Sequence, residues 1–406
     1  MPGPLEGFRI VDLSSVLMGP SATQTLGDMG ADVIKVEPPT GDTTRRIGPG
    51  RSDTMGSNFL NMNRSKRSIA LDLKHPRSRE VLARLIANAD VLIHNIRPRA
   101  VERLGLGYAD VSALNPQIVY CALTGFGSGG PYAGQPAYDD LIQGLAALPS
   151  LYQQCSGFPR YVPTPIADRV AGLNAVIAVV GALLHRQRTG VGQAVEVPMF
   201  ESVAHVVLAD HMYGRTFVPP FGAPGYTRVL SPSRHPYQTL DGWICVLIYN
   251  DRHWQSFFQL TERDDLASDP RFGNMRSRND HIDELYGILA ETLRARTTAE
   301  WLALLQSVDI PAGPMNSLDS LMDDAHLAAV DFFQTVEHPT EGSINTMRTP
   351  ITWSKTQPQP DRPAPNLGEH GSEVLRENGF SALEIESLMA AGVLGPKGKS
   401  PPAEGV

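Results

Sequence analysis

The sequence predicts an α/β protein built on a mainly parallel, doubly wound sheet, accompanied by a second, smaller domain. Short apolar strands alternate with helices from residue 8 to residue 123, which is the signature of βαβ units. The chain has 406 residues, 42% of them hydrophobic and 19% charged, enough to bury two sizeable cores. After Phe217 the texture changes, with Pro219, Pro220, Pro224, Pro232 and Pro236 set among glycines and aromatics as in a long linker or lid.

Residues 8–13 read as a buried strand, 20–29 as a helix and 31–36 as a second strand, which together form a βαβ unit. The alternation recurs. Residues 77–88 carry Val81, Leu82, Leu85 and Ile86 at helical spacing, and the strand 90–94 follows; a further strand at 117–123 runs into a glycine-rich turn, 125–130. A long apolar helix is expected from Val170 to Leu184, entered through Pro163, Thr164, Pro165 and Asp168 and left through Arg186, Arg188 and Gly190. Beyond the linker, the smaller domain reads as a strand at 243–249 and helices near 253–260, 280–294 and 299–307. Residues 357–365 suggest an extended polyproline-like crossing, 382–391 a last amphipathic helix, and 395–406 a flexible tail. The expected division is a large domain of 1–217 completed by 331–394, and a linker with small domain at 218–330.

The net charge of −8 argues against nucleic acid or an anionic membrane as the main partner. Residues 1–7 have neither a charged nor an apolar leader pattern, and the longest apolar run, 175–184, is half of the roughly 20 residues a membrane span needs. Cys121, Cys155 and Cys245 suit neither a disulfide framework nor a zinc site, and His94, His185 and His211 lack metal-ligand spacing, so no metal is expected and a reducing cytoplasm is the expected compartment.

Asp168 is the foremost candidate for chemistry. A carboxylate where a rigid segment enters a helix is held at a fixed angle and partly desolvated, as a nucleophile must be; the same position suits an ordinary N-cap. Asp139 and Asp140 open another helix, where capping again competes with catalysis. The glycines at 125–130 offer backbone amides to a phosphate or oxyanion, but neither they nor the first βα turn makes a dinucleotide fingerprint, and no GxSxG elbow is present. Two basic clusters remain: Arg64, Lys66, Arg67 and Lys74, then Arg97, Arg99 and Arg103. Each is a solvated face or part of a phosphate-bearing ligand site.

Taken in order, these blocks resemble the class III CoA-transferases, a family that includes formyl-CoA:oxalate and carnitine CoA-transferases and the α-methylacyl-CoA racemases. The resemblance covers nearly the whole chain. It rests on Val11-Asp12-Leu13 with Gly19-Pro20, on residues 30–38 and 63–74, on 89–98, on Gly125-Phe126-Gly127, on 188–193 and on Leu367-Gly368-Glu369-His370. It implies Asp168 as the catalytic nucleophile, with coenzyme A contacts from Val16, Leu71, Asp72, Lys74, Asn95, Ile96, Arg97, Arg103 and Ala137. Tyr138 and Asp139 are the implied supporting or acid–base groups. It further implies a Rossmann-like large domain, a smaller α+β domain and an interlocked homodimer.

The implied activity is transfer of CoA from an acyl-CoA thioester to a free carboxylic acid, through an aspartyl anhydride and an aspartyl-CoA thioester. The racemase branch places a histidine where this chain has Tyr138, which disfavours the alternative in which Asp168 acts as an acid–base group of an α-methylacyl-CoA racemase or related isomerase. A third reading is a CoA-binding regulator without activity. The oxalate-specific branch has glutamine at Leu17, arginine at Pro38 and a four-glycine lid loop; here the linker holds Gly222 and Gly225, then Arg228, Arg234 and His235. Oxalate is thus not the expected acceptor, and Arg228 and Arg234 are candidates to hold the distal carboxylate of a longer acid.

Overall fold

In the computed structural model, which describes residues 3–357 and 362–395, the chain divides into two compact units. The first comprises residues 3–145, 164–204 and 326–395, and the second 146–163 and 205–325. Residues 146–163 and 205–217, expected in the large domain, therefore belong to the second unit. Of the expected tail, 396–406 lies outside the described residues, as does 358–361 of the expected polyproline crossing.

The first unit is built on six parallel strands: β1 (Arg9–Asp12), β2 (Asp32–Glu37), β3 (Lys66–Ala70), β4 (Val91–His94), β5 (Val119–Thr124) and β6 (Gln193–Pro198). Their order is β3-β2-β1-β4-β5-β6, with Ile10 beside Val33 and Val11 beside both Ile34 and Leu92. Both faces of a parallel sheet are covered, so its strands are buried runs and not alternations. One face, carrying Val11, Ile34, Ile69 and Leu92, meets Val81, Leu85 and the C-terminal residues Val374, Leu375, Phe380 and Leu388 in one core. The other is packed by the helices Met18–Asp28 and Ile166–Thr189. The latter helix is longer than its apolar run suggested. At 24 residues it is long and apolar enough to cross a membrane by length and composition; here it lays Ala171, Ala175, Val179 and Leu183 onto the unit's interior. A hairpin, Phe333–His338 with Gly342–Met347, and the helices Gly371–Glu377 and Ala382–Ala390 return the chain to this unit, where Leu394 bridges to Leu71.

The strand order reverses between β1 and β4, and a ligand crevice in such sheets opens at the carboxyl ends of the strands at that switch point. The loops there are held by buried ion pairs. Lys66 reaches Asp12 at 3.4 Å, Lys35 reaches Asp42 at 3.0 Å, and Arg45 makes a two-pronged bond to Glu37 at 2.7 Å, all with side chains at most 1% exposed. This overturns both readings for three of the four residues of the first basic cluster, leaving only Lys74 exposed. Arg64 is buried on Asp28, Lys66 on Asp12, and Arg67 grips Asp32, Glu373 and Glu377, so these three face neither solvent nor a ligand.

The second unit has a small antiparallel sheet, β7 (Tyr237–Gln238), β8 (Trp243–Val246) and β9 (Ala312–Pro314), in that order. Helices Asp251–Leu260, Ile282–Leu293 and Thr298–Ser307 surround a core of Trp254, Phe257, Phe258, Leu285, Leu289 and Trp301. The last helix starts where Thr297 and Glu300 form a reciprocal capping box.

Removing one member of a buried, hydrogen-bonded pair leaves an uncompensated charge, so Arg45→Met is expected to lower unfolding free energy by about 3–5 kcal/mol in urea titrations. Combining it with Glu37→Gln is expected to recover most of that loss, because the orphaned charge is then gone.

Candidate active site

Asp168 occupies the third position of the Ile166–Thr189 helix, after Pro165 at the N-cap, and it caps nothing in its own helix. The N-cap reading is thereby replaced. The backbone amide of Met18, the first residue of the Met18–Asp28 helix, is near enough to favour the ionised form of Asp168. The two helices can approach this closely because position 172 is glycine: a Cβ there would lie 2.7 Å from Ser21 Oγ and 3.0 Å from the Met18 carbonyl oxygen.

Asp168 is 9% exposed, and burial pushes its carboxyl up to about 6, reinforced by the charge of Asp139 and opposed by Arg169 and the Met18 amide. Asp139 sits beside it for a structural reason. One of its oxygens accepts the Asp168 backbone N–H at 3.0 Å, satisfying a free amide of the helix's first turn, and the other accepts Gln143 Nε2 at 2.5 Å. The arrangement keeps a carboxyl at fixed aim, short of water and with a raised proton affinity, as nucleophilic or acid–base work requires.

A cavity of about 440 Å³ opens over this carboxyl. Val16, Asn95, Ile96, Arg97, Ala137, Tyr138 and Asp168 all line it; Tyr138 is 71% exposed. Leu71, Asp72, Lys74, Arg103 and Asp139 are not among its lining residues. Leu71 is a core residue, Asp72 turns the chain by accepting the Lys74 amide, and Lys74 and Arg103 are exposed in the segments that follow β3 and β4. Arg99 also lines the cavity, and neither it nor Arg97 makes an ion pair among the described residues. In the second unit, Arg228 is buried against Tyr249 and Tyr286, whereas Arg234 is exposed in the wall of another cavity.

The turn between β1 and the Met18–Asp28 helix is unusually constrained. Val16 adopts φ 71°, a conformation disfavoured for a β-branched residue by roughly 1–3 kcal/mol. It is held there from three sides. Asp12 accepts the Ser14 N–H at 2.8 Å, Asn95 bonds both the N–H and the carbonyl of Ser15, and Asp42 accepts the Val16 N–H at 3.3 Å. Sequence reasoning missed Asp12, Lys35 and Asp42 in this role; charged residues within or just after apolar strands were their only trace. The glycine-rich turn is also engaged already, since Gly127 N–H donates to Glu201 and Ser128 N–H to Glu196. Those two amides are not free for an oxyanion.

The chain matches CoA-transferase family III over residues 5–371. It is 34% identical over 399 residues to succinyl-CoA:glutarate CoA-transferase of Mus musculus, covering 96% of this chain and 90% of the relative. It is 32% identical over 418 residues to formyl-CoA:oxalate CoA-transferase of Streptomyces avermitilis, covering 97% and 100%. Among solved structures, a CaiB/BaiF family protein from Brucella suis superposes with a TM-score of 0.78 at 32% identity, covering 93% of this chain and all of that one.

The raised proton affinity of Asp168 has a signed consequence for stability. Below about pH 4 both folded and unfolded states hold the proton; between that point and about 6 only the folded state does, so stability falls as pH rises through this window. At neutral pH the charged carboxylate therefore costs the fold on the order of 3 kcal/mol. Asp168→Asn is expected to raise the melting temperature at pH 7.5, with the difference from wild type shrinking towards zero near pH 4. Equal melting curves at both pH values would contradict this account.

Proposed function

The chain belongs to CoA-transferase family III, an enzyme family that transfers CoA between carboxylic acids, and we propose that Asp168 is its nucleophile. The single observation that carries the assignment is the buried carboxyl of Asp168 at the helix entrance, facing a cavity with the unpaired cations Arg97 and Arg99. Those guanidinium groups suit the phosphates of coenzyme A, and Val16, Asn95, Ile96 and Ala137 supply the adjoining wall. Asp72, Lys74 and Arg103 extend the CoA site along the carboxyl edge in this reading, outside the cavity itself, while Leu71, wholly buried in the core, takes no part in it.

The chemistry proceeds by exchange of acyl bonds. The ionised Asp168 oxygen attacks the thioester carbonyl, the C–S bond breaks, and a mixed anhydride and a CoA thiolate result. The thiolate attacks the aspartyl carbonyl, expelling the donor's carboxylate and leaving an aspartyl-CoA thioester. The acceptor carboxylate then attacks that carbonyl and displaces the thiolate, which takes the acceptor's acyl group from the new anhydride. Asp168 leaves as carboxylate, and no net proton or water is consumed. Each step builds negative charge on a carbonyl oxygen next to Asp168, where the Met18 backbone amide already favours negative charge. Burial of the carboxyl limits access of the water that would hydrolyse the anhydride. Tyr138 and Asp139 are supporting residues here: Asp139 is occupied by the Asp168 amide and Gln143, and holds the nucleophile's aim.

The mouse relative is named for succinyl-CoA and glutarate, and a short dicarboxylic acid is the acceptor class we favour. We also propose the interlocked homodimer of the family, since Leu173, Ile177 and Leu184 leave an exposed apolar stripe on the Ile166–Thr189 helix that a second copy would cover. A reducing cytoplasm suits the three unpaired cysteines.

Incubation with succinyl-CoA is expected to produce a protein species heavier by one CoA in intact mass spectra, removed by hydroxylamine and absent in Asp168→Ala. Transfer to glutarate is expected to fall by about a thousandfold or more in that variant. In wild type, kcat/KM should decline below about pH 6, where the carboxyl takes up a proton. Exchange of the α-proton of a 2-methylacyl-CoA with no covalent species would overturn the transferase assignment in favour of isomerisation.

A further inference from the structure

The second unit contains a cavity of about 540 Å³, within the range of small-molecule sites. Its wall includes Arg234 and no acidic side chain among the described residues, and Arg234 makes no ion pair with any described carboxylate. Two phenols share the wall, Tyr237 and Tyr286, both buried. The hydroxyl of Tyr286 accepts from Arg228 Nε at 2.9 Å, and the Arg228 guanidinium lies 4.4 Å from the centre of the Tyr249 ring. Arg228 is thus committed within the unit, and a phenol that accepts from a guanidinium keeps its own hydrogen to donate. The Tyr237 hydroxyl has no hydrogen-bond partner among the described residues, and burial, with Tyr286 beside it, pushes its acidity down so that it remains a donor. Val246, Ile248 and Pro311 give the wall an apolar side, and His235, whose Nδ1 bonds the Pro236 carbonyl at 2.7 Å, completes its polar side.

A free guanidinium and two phenol donors against aliphatic walls select an amphipathic anion, and the lining has no carboxylate to pair a cation. We propose that this cavity binds the carboxylate of a short aliphatic acid, with Arg234 pairing the charge, Tyr237 and Tyr286 donating to its oxygens, and the chain lying on Val246 and Ile248. The assignment stands on the lining of the second unit and is independent of Asp168 chemistry. The acid is the acceptor of CoA transfer or an effector sharing its chemistry, and the two sources are separable by experiment.

Cys245 provides a local reporter, because it is exposed and lines the cavity, whereas Cys121 is buried with its thiol pushed up to about 12. Alkylation of Cys245 by N-ethylmaleimide, followed by peptide mass spectrometry on the full-length protein, is expected to slow about fourfold when hexanoate is present at three times its Kd. Cys155 serves as internal control and hexanol as the uncharged analogue; neither Cys155 labelling with hexanoate nor Cys245 labelling with hexanol should change. Arg234→Gln is expected to abolish the protection, and Tyr237→Phe to require more hexanoate for the same effect. Undiminished labelling of wild-type Cys245 at high hexanoate, equal protection by hexanol, or protection that survives in Arg234→Gln would each overturn the site. With the site upheld, an increased acceptor KM in Arg234→Gln at unchanged acyl-CoA KM identifies the bound acid as the acceptor, and an unchanged acceptor KM identifies it as an effector. Failure of CoA transfer to every acid tested would refute the proposed function while leaving the alkylation result intact.

Discussion

The first unit depends on a set of charges placed where sheets ordinarily keep aliphatic side chains. Asp12, Glu37 and Asp42, at or just beyond the carboxyl ends of β1 and β2, are balanced by Lys66, Arg45 and Lys35, with every one of these side chains at most 1% exposed. Desolvation opposes each charge; burial brings the Lys66 ammonium down to about 7 even with Asp12 beside it. Hydrophobic residues of the same volume would often be no less stable there, so stability is a poor explanation for retaining the pairs. What they supply is direction. Asp12 and Asp42 each spend hydrogen-bond capacity on the Ser14–Val16 turn, Lys35 donates to the Ser14 carbonyl, and Glu37 accepts the Asp42 amide. The loops that frame the cavity are tied to the strands by bonds that have one geometry, where aliphatic packing would tolerate several.

That rigidity is transmitted to Asp168 through one helix end. Fixing Val16 at positive φ fixes where the Met18–Asp28 helix begins, and the amide of that first residue favours the ionised form of Asp168. The carboxylate also lies in the first turn of its own helix, and a helix N-terminus favours negative charge. Were those the dominant effects, its proton affinity would fall. It rises to about 6 because burial outweighs them, with Asp139 adding to the burial. The balance is functional in character: a carboxylate stabilised strongly by helix amides would be a weak nucleophile, and one left in water would be a solvated one.

Much of the sheet was legible in the sequence because parallel strands are apolar on both faces: the runs read at 8–13, 31–36, 90–94 and 117–123 fall on β1, β2, β4 and β5 within two residues at each end. The strand β3 was not. Its sequence, Lys66 to Ala70, is charged in its first two positions and reads as a basic surface run, yet all five residues are buried. Hydropathy cannot report a buried ion pair, since the partner that neutralises it lies 54 residues away, as Asp12 does from Lys66. The strand β6 was hidden for the opposite reason, its edge position leaving Ala194 and Glu196 exposed. Asp168 stood out from the residues around it, but cap and nucleophile could not be separated until Met18 and Asp139 were known to meet it.

The two basic clusters show what separates a structural cation from a ligand-binding one. Arg64 and Arg67 flank or enter a strand, and a side chain leaving a strand covered on both faces must find its counter-charge inside the protein: Asp28 for one, Asp32, Glu373 and Glu377 for the other. Arg97 and Arg99 come after a strand, at the start of a helix on the carboxyl edge, where the backbone turns away from the core and solvent supplies the counter-charge. A cation left without a protein partner there is available to an anionic ligand at little desolvation cost, because nothing has to be broken to receive it. Position relative to the strand end, more than the number of basic residues in a run, decides which charges are free to bind.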